Sequence, residues 1–557
     1  MLLCAAIGTA MGCGGERVSG PADPGASRLS VATPNVSVGV TVGSPVAYDA
    51  TQGGTTFTVA GGDSVEYRIT FAGNANGLLA EGGMVVGQPL SPTVTWATIV
   101  ATNGQGRTSS DRFAMVAFAP GLTTPTLQST PFRYSDEATP LPAHFRGVID
   151  GRSVGSTDNT PADNPITDPG AALGRVLFYD PRLSANDSRS CGGCHSLALG
   201  FSDRPQQSIG FAGKLTRRHS PALANARFYA RGHFFWDERA ATLEDQTLHP
   251  IQDPVEMGLT LENLTAKLKV TPYYPARFSA AFGSPEVSSE RVSRAIAQFI
   301  RSMVSANSRF DRAFTPEGTP NFAAFFTPQE LEGEALFRST GCAECHGTVA
   351  QVSDSVHNNG LDIVSADTGA GRGGFKAPSL RNVAVRPRFM HDGRFTSLEQ
   401  VVSFYNSGVQ PNPDLDSRLK GGDGSPKRLN LTAAQQGALV AFLQTLTDSV
   451  FLNAPRFADP FELPGAPPPP PATGGANVTM QAIAYHPREL TVAPGTVVTW
   501  TNLDNIEHSA SFTSAQVGTT PIFSEGSQQL TLPTIPGRYG YQCAVHGSAM
   551  RGTIIVE

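Results

Sequence analysis

The sequence predicts a multidomain chain: an all-β sandwich first, a mainly α module of two lobes next, and a second all-β domain last. Three observations carry this. Apolar residues recur with period two near both ends and at helical spacing between them. The pentapeptide Cys-x-x-Cys-His occurs twice in the helical middle, once ending at His195 and once at His346. Five consecutive prolines at 467–471, followed by Gly474-Gly475, set the last part off from the rest.

The 557 residues fit three to four domains. A hydrophobic share of 40% supports ordinary cores, and a formal charge of −6 speaks against a nucleic-acid or polybasic membrane partner. Residues 1–27 read as leader and tether. The opening MLLCAAIGTAMG is apolar but too short to span a bilayer. Read with Cys13 it is the end of a lipoprotein signal, Cys13 being the lipid-anchored residue; a plain secretory signal is the alternative. No later stretch is a transmembrane candidate.

Residues 28–125 alternate. Val36, Val38, Val40 and Val42 form one run; Val65, Tyr67, Ile69 and Phe71 a second; Phe113, Met115 and Ala117 a third. Gly-Gly pairs at 53–54, 61–62 and 82–83 punctuate them. This predicts a sandwich of immunoglobulin or cadherin-like type, with a spacer or adhesion role. Residues 130–460 change period. Val292, Ile296, Phe299, Ile300 and Met303 fall on one helical face over 290–304. Thr327-Pro328-Gln329-Glu330 is a capping box with proline at the first helical position. Thr432 and Gln435 cap a final helix with the stripe Leu439, Phe442, Leu443 and Leu446. One Cys-x-x-Cys-His per half predicts two cytochrome c-like lobes, at about 165–310 and 325–450. Residues 461–476 form a stiff spacer of roughly 15 Å ending in a hinge. Strands return over 477–557, with Val497, Val498 and Trp500, then Tyr539 and Tyr541, then Ile554 and Val556.

The repeated motif carries chemistry. Cys191 and Cys194, and again Cys342 and Cys345, are spaced so that both thiols of a pair reach one porphyrin edge as thioethers, and His195 and His346 then become proximal iron ligands. A zinc or redox Cys-x-x-Cys pair is the bland alternative, but neither needs a histidine straight after the pair. Two haem c groups imply export to a bacterial-type envelope or periplasm. Of seven cysteines, four lie in these motifs and Cys543 in a third cluster, so no disulfide framework remains. That cluster is His508, Cys543, His546 and Met550: two imidazoles, a thiolate and a weak thioether, the ligand set of type 1 copper. Zinc fits poorly, since thioether is a poor zinc ligand. The segments VTWTNLDNIEHS and GRYGYQCAVHGSAMRGTIIV, and nearly all of 476–557 with them, resemble the cupredoxin family of plastocyanin and pseudoazurin.

Residues 172–448 resemble the bacterial di-haem cytochrome c peroxidase family, including its MauG branch. The segments that carry the likeness are LGRVLFYDPRLSANDSRSCGGCHS, FFWDERAATLEDQTLHPIQDPVEMG, GEALFRSTGCAECHG, GFKAPSLRNVAV and MHDGRFTSLEQVVSFY. The resemblance implies two facing helical lobes, a peroxidatic haem in the first and an electron-entry haem in the second. It makes Glu256 the distal acid–base group, Gln246 and Pro250 its pocket neighbours, and Trp236 the residue between the haems. The family's Trp-Asp-Gly-Arg reads Trp236-Asp237-Glu238-Arg239 here. Tyr405, fourteen positions after His391, stands where ordinary peroxidases have a methionine ligand and the MauG branch a tyrosine, and a phenolate there would make the second haem hard to reduce. Residues 200–218 contain no histidine, so the first haem is expected to be open to peroxide without prior activation. The family also holds calcium between its lobes. His219 replaces the usual asparagine before Ser220-Pro221, and Arg386-Pro387-Arg388 alters the loop before MHDG, so no calcium ligand is assigned.

Three functions follow from this reading. The main one is a hydrogen peroxide reductase fed through its own copper domain by a redox partner, a donor cytochrome or cupredoxin. The others are a MauG-like oxidase that modifies a partner protein, and a non-enzymatic electron-transfer relay.

Overall fold

The structure is a computed structural model. It describes residues 29–461 and 476–556, apart from 34–36, 52–55, 60–63, 128–130, 353–354, 482–483, 504–505, 515–516, 525, 534 and 536. Cys13, the leader and tether, the proline run, Val36 and the Gly-Gly pairs at 53–54 and 61–62 lie outside the described residues. The chain divides into two compact units, Met1–Glu462 and Leu463–Glu557.

The first unit opens with β-structure. A four-stranded sheet runs in the order Ser37–Thr41, Thr108–Phe118, Thr93–Asn103, Val65–Phe71, and a three-stranded one in the order Val46–Asp49, Met84–Gly87, Leu78–Glu81. Ile69, Leu78, Val85, Ala97, Ile99, Phe113 and Met115 share one core. The alternation expected for Phe113, Met115 and Ala117 is incomplete, because Ala114 and Val116 on the opposite face are buried too. They pack with Ala266 of the helix Leu261–Val270. The Trp96 indole donates to Asn263 Oδ1 of that helix at 2.9 Å, and Ala119 N donates to Asp187, whose carboxylate also holds the buried Lys267 ammonium at 2.5 Å. The β-domain is thus packed on the first lobe rather than held away from it as a spacer. A strand buried on both faces loses its period-two signature for that reason.

The two lobes repeat one plan. In the first, Asp168–Tyr179 crosses Ser289–Arg301; in the second, Pro328–Ser339 crosses Ala433–Thr445. A Cβ on Gly174 would meet Ala295 O at 1.9 Å, and one on Gly333 would meet Ala438 O at 1.9 Å, so both crossings are closer than any side chain allows. Both expected capping boxes form, at Thr327–Glu330 and Thr432–Gln435. The 290–304 stripe stops being helical at Arg301; Met303 remains buried past the helix end, its carbonyl taken by Asn225 N.

The repeat extends to the loops. Pro221-Ala222-Leu223-Ala224-Asn225 matches Pro378-Ser379-Leu380-Arg381-Asn382, and each asparagine is left-handed, with φ 61° and 60°, before a short 3-10 turn. Phe234 bridges Ala240 around Trp236 as Phe389 bridges Phe395 around His391. The lobes cross-pair through these loops: His219 N donates to His391 O at 2.9 Å, and Lys376 N donates to Trp236 O at 2.7 Å.

In the second unit, four-stranded sheets of order Ala484–His486, Ala476–Gln481, Val497–Asn502, Gly526–Thr531 and Glu489–Val492, Gly547–Val556, Gly537–Cys543, Ser511–Phe512 enclose Val478, Met480, Trp500, Tyr541 and Ile554. Ala476, expected to end the linker, already opens the first strand.

Gly→Ala inside a helix ordinarily stabilises by about 0.5–1 kcal/mol. Here Gly174→Ala should instead destabilise by about 1–3 kcal/mol or more, through overpacking. A thermal melt followed by circular dichroism checks this, and an unchanged or raised midpoint would show that the helices can part without cost.

Candidate haem and copper sites

Each Cys-x-x-Cys-His folds as one tight turn. His195 N donates to Cys191 O at 2.9 Å and His346 N to Cys342 O at 3.0 Å, which turns both sulfurs and the imidazole of each motif to one side. Cys191, Cys194 and His195 line a cavity of about 660 Å³ in the first lobe. Cys342, Cys345 and His346 line a second cavity in the other lobe. The His195 Nδ1 lies 2.8 Å from Phe201 O, and the His346 Nδ1 lies 3.4 Å from Gln351 O. An Nδ1–H bonded to a carbonyl leaves Nε2 with its lone pair, the tautomer an iron requires. Phe201 and Gln351 both adopt left-handed backbone, with φ 61° and 47°. That conformation is rare for a bulky aromatic and costs on the order of 1–3 kcal/mol. It turns each carbonyl onto its histidine.

These residues fit haem c. Burial pushes the Cys191 thiol up to about 12 and the Cys194 thiol to about 11, so neither is a ready thiolate. Among the described residues, the one place where three or more metal-ligating His, Cys, Asp or Glu side chains converge lies in the other unit. A zinc reading of the two pairs therefore lacks the further ligands that a tetrahedral site needs.

Gln246, Pro250 and Glu256 line the first cavity together with Cys191, Cys194 and His195. Thr242 caps the helix Leu243–Gln252, placing Gln246 and Pro250 one turn apart. Asp253 Oδ1 accepts from Val255 N at 2.7 Å and Glu256 N at 3.1 Å, and this turn seats Glu256. Burial, with Asp253 beside it and only Arg239 opposing, raises the Glu256 carboxyl to about 7. Of the histidines lining this cavity, His219 is the one besides His195, and its Nε2 lies 3.0 Å from Ser202 Oγ.

Trp236 lines both cavities, with His219, Ser220, Pro221, Ala222 and Lys376. Its Nε1 donates to His219 O at 2.7 Å. Glu238, in place of the family glycine, keeps a left-handed φ of 54° where the second lobe has Gly393 at 68°. Its carboxylate accepts from the Tyr229 hydroxyl and pairs with Arg231 at 2.9 Å.

Tyr405 lines the second cavity from a single π-helical turn, Phe404–Gly408, a feature frequent at functional sites. Asn359 Nδ2 lies 3.4 Å from its hydroxyl, and burial pushes the phenol up to about 12. It therefore keeps its proton at neutral pH unless a cation takes that proton's place.

In the second unit, His508, Cys543 and His546 bring one ligand atom each within 4.8 Å of one another. Cys543 Sγ is 3.3 Å from His546 Nδ1 and 3.9 Å from His508 Nδ1. His508 bridges Phe523 on the backbone, and Asn502 Nδ2 ties the neighbouring loop through Ile506 O and Phe523 O at 2.9 and 2.8 Å. Ser509 Oγ accepts from Ala544 N at 2.9 Å, clamping the histidine loop to the cysteine turn. Met550 is buried in the same core as Cys543. It lies within the strand Gly547–Val556, which pairs with Gly537–Cys543 and shifts register between Gln542 and Cys543. A buried thiol facing two imidazoles fits copper.

Sequence reasoning did not single out Phe201, Gln351, Lys376, Asn359 or Asn502.

A family model for di-haem cytochrome c peroxidase matches residues 168–319, and one for a cupredoxin-like domain matches 466–556. The methylamine utilization protein MauG of Methylorubrum extorquens is 37% identical over 299 residues, 51% of this chain and 80% of its own. The cytochrome c551 peroxidase of Nitrosomonas europaea is 33% identical over 291 residues, 50% of this chain and 79% of its own. A crystal structure of a MauG-like protein associated with microbial copper homeostasis shares 33% identity over 54% of this chain and 96% of that one, with a TM-score of 0.48.

Replacing Cys543 with Ser should abolish the intense oxidised-minus-reduced visible band of a copper–thiolate bond while both haems stay attached. A blue band that survives in copper-loaded C543S would show that this thiolate is not the ligand.

Proposed function

The chain belongs to the di-haem cytochrome c peroxidase and MauG family, and from that premise we propose that it reduces hydrogen peroxide with electrons delivered through its own copper domain. When bound, haem c supplies a redox iron and type 1 copper a one-electron carrier. The observation that carries the reading is Glu256, a half-buried carboxyl of raised pKa that lines the same cavity as His195.

The protein's own residues have three tasks. Glu256 receives a proton on a carboxylate oxygen from one oxygen of peroxide and returns it to the departing one, so that water leaves. Gln246 and Pro250 shape the pocket around that carboxyl, and Met257 and Ile296 keep its walls apolar. Trp236, held by His219 O in the shared wall, is the packed contact between the two cavities. Overall, peroxide takes up two electrons and two protons to give two waters. The tethered copper domain makes donor encounter intramolecular, at an effective concentration up to roughly millimolar. Haem attachment supports an envelope location, and among the described residues no helix is long and apolar enough to cross a membrane.

A second reading, a MauG-like oxidase that modifies a partner protein, is supported by Tyr405 in the second cavity. Donor competition separates the two. Peroxide turnover that consumes reduced copper supports the reductase; slow copper oxidation with peroxide-dependent mass changes on a partner supports the oxidase.

Glu256 is competent as a base only when ionised. Peroxide turnover should therefore rise as pH increases through about 7 and then level off. Glu256→Gln should lose about 10²–10⁴-fold in kcat/KM and flatten that limb, as steady-state assays across pH will read; an unchanged rate would favour the relay. In stopped-flow mixing, the copper band should respond to peroxide on the timescale of haem turnover, and copper that stays inert would refute the donor role. Tyr405→Met should raise the second haem's reduction potential in spectroelectrochemical titration, whereas an unmoved potential would remove Tyr405 from the iron.

A further inference from the structure

Arg386 is a half-buried cation with no part in the steps assigned to Glu256, Trp236 and Tyr405. It lines the second cavity, in the wall between the helix-turn after Asn382 and the MHDG loop. Its Nη2 donates to the carbonyls of Ser379 and Arg381, and its Nε is shut off from solvent without a partner. Among the described residues no carboxylate pairs with it. Among the other cations lining this cavity, Arg418 is paired with Asp416, Lys376 faces the carboxylate of Glu238, Lys427 donates to Thr340 O, and Arg388 stands two residues further along the same loop. Burial alone draws the Arg386 guanidinium down to about 10, so it stays charged at neutral pH. Two neutral carbonyls orient a guanidinium but do not balance its charge.

The internal repeat shows that this charge is a built difference between the lobes. Arg386 follows the 3-10 turn Val383–Val385 as Tyr229 follows Ala226–Phe228. Tyr229 lines the first cavity, its hydroxyl bonded to Glu238. The second lobe thus has a guanidinium where the first has a phenol, and Gly393 where the first has the acceptor carboxylate.

We infer that Arg386 is an anion-binding residue of the second cavity, that it receives a propionate of the haem held by Cys342 and Cys345, and that its charge holds that haem's reduction potential up. A forked guanidinium matches a carboxylate in shape. A fixed cation beside the porphyrin favours the reduced state, which carries one positive charge less. The inference does not depend on whether peroxide or a partner protein is the substrate.

Both haems are joined to the chain by thioethers, so variants can be compared as holoproteins. In Arg386→Gln the second haem's potential should fall while the first haem's stays within error, and resonance Raman should show a shifted propionate bending mode. Arg386→Lys, which keeps the charge, should recover most of the potential but not the guanidinium-bonded mode. An unmoved second potential in Arg386→Gln, or an equal fall in both haems, would overturn the assignment. If Arg386→Gln does not accumulate, Arg386→Lys decides alone: a shifted propionate mode is expected, and an unchanged one overturns it. A wild-type second potential that moves on adding formate would show an exchangeable anion in place of the propionate, and would also overturn it.

Discussion

Two backbone hydrogen bonds carry the arrangement of the di-haem module: His219 N to His391 O, and Lys376 N to Trp236 O. They are related by the internal repeat, each lobe donating once and accepting once. Both lie in the wall that the two cavities share, where unpaired backbone groups would be costly. With the wall fixed, the Trp236 indole has one place to go, and the His219 carbonyl takes its N–H. The spacing between the cavities, and any electron exchange across it, rests on this crossing.

On that common frame the two lobes diverge by a few side chains. Trp236 in the first corresponds to His391 in the second, Tyr229 to Arg386, and Glu238 to Gly393. The first cavity has gained a half-buried acid, Glu256, on the turn after a proline-containing helix. The second has gained a phenol, Tyr405, on a π turn. A carboxyl of raised pKa suits proton exchange, and the Tyr405 phenol and Arg386 guanidinium on one cavity suit a centre that stores charge. Shared fold and opposite electrostatics are what a division of labour between two like cofactors needs. The β-domain meets the first lobe where Trp96 donates to Asn263 and Ala119 N to Asp187, the partner of Lys267, on and beside the helix that follows the Glu256 turn.

The elements legible in the sequence were those set by local chemistry. Thr327 and Thr432 announced their helices because a capping box is written within four residues. The haem and copper ligands were legible because their spacing is short or their residue types are rare. What stayed hidden was set by distant partners. Ala114 and Val116 lie in a strand that looks one-sided until the helix Leu261–Val270 covers its other face. Phe201 and Gln351 were hidden for a different reason: each carbonyl goes to a histidine only six or five residues earlier, but neither side chain advertises the left-handed backbone that turns it there. Glu238 keeps a glycine's backbone, since Tyr229, Arg231 and Lys376 gather round its carboxylate. The repeat itself was readable, in Pro-x-Leu-x-Asn and Asp-x-Arg, but only its haem motifs stand out by eye.

Peroxide chemistry in the first lobe requires one iron position free in the cavity that Glu256 lines. Low-temperature EPR of the oxidised holoprotein reads this directly. The account predicts three signals together: a high-spin ferric haem from the first lobe, a low-spin ferric haem from the second, and copper with narrow hyperfine splitting. Low-spin ferric signals from both haems, with no high-spin component, would contradict it.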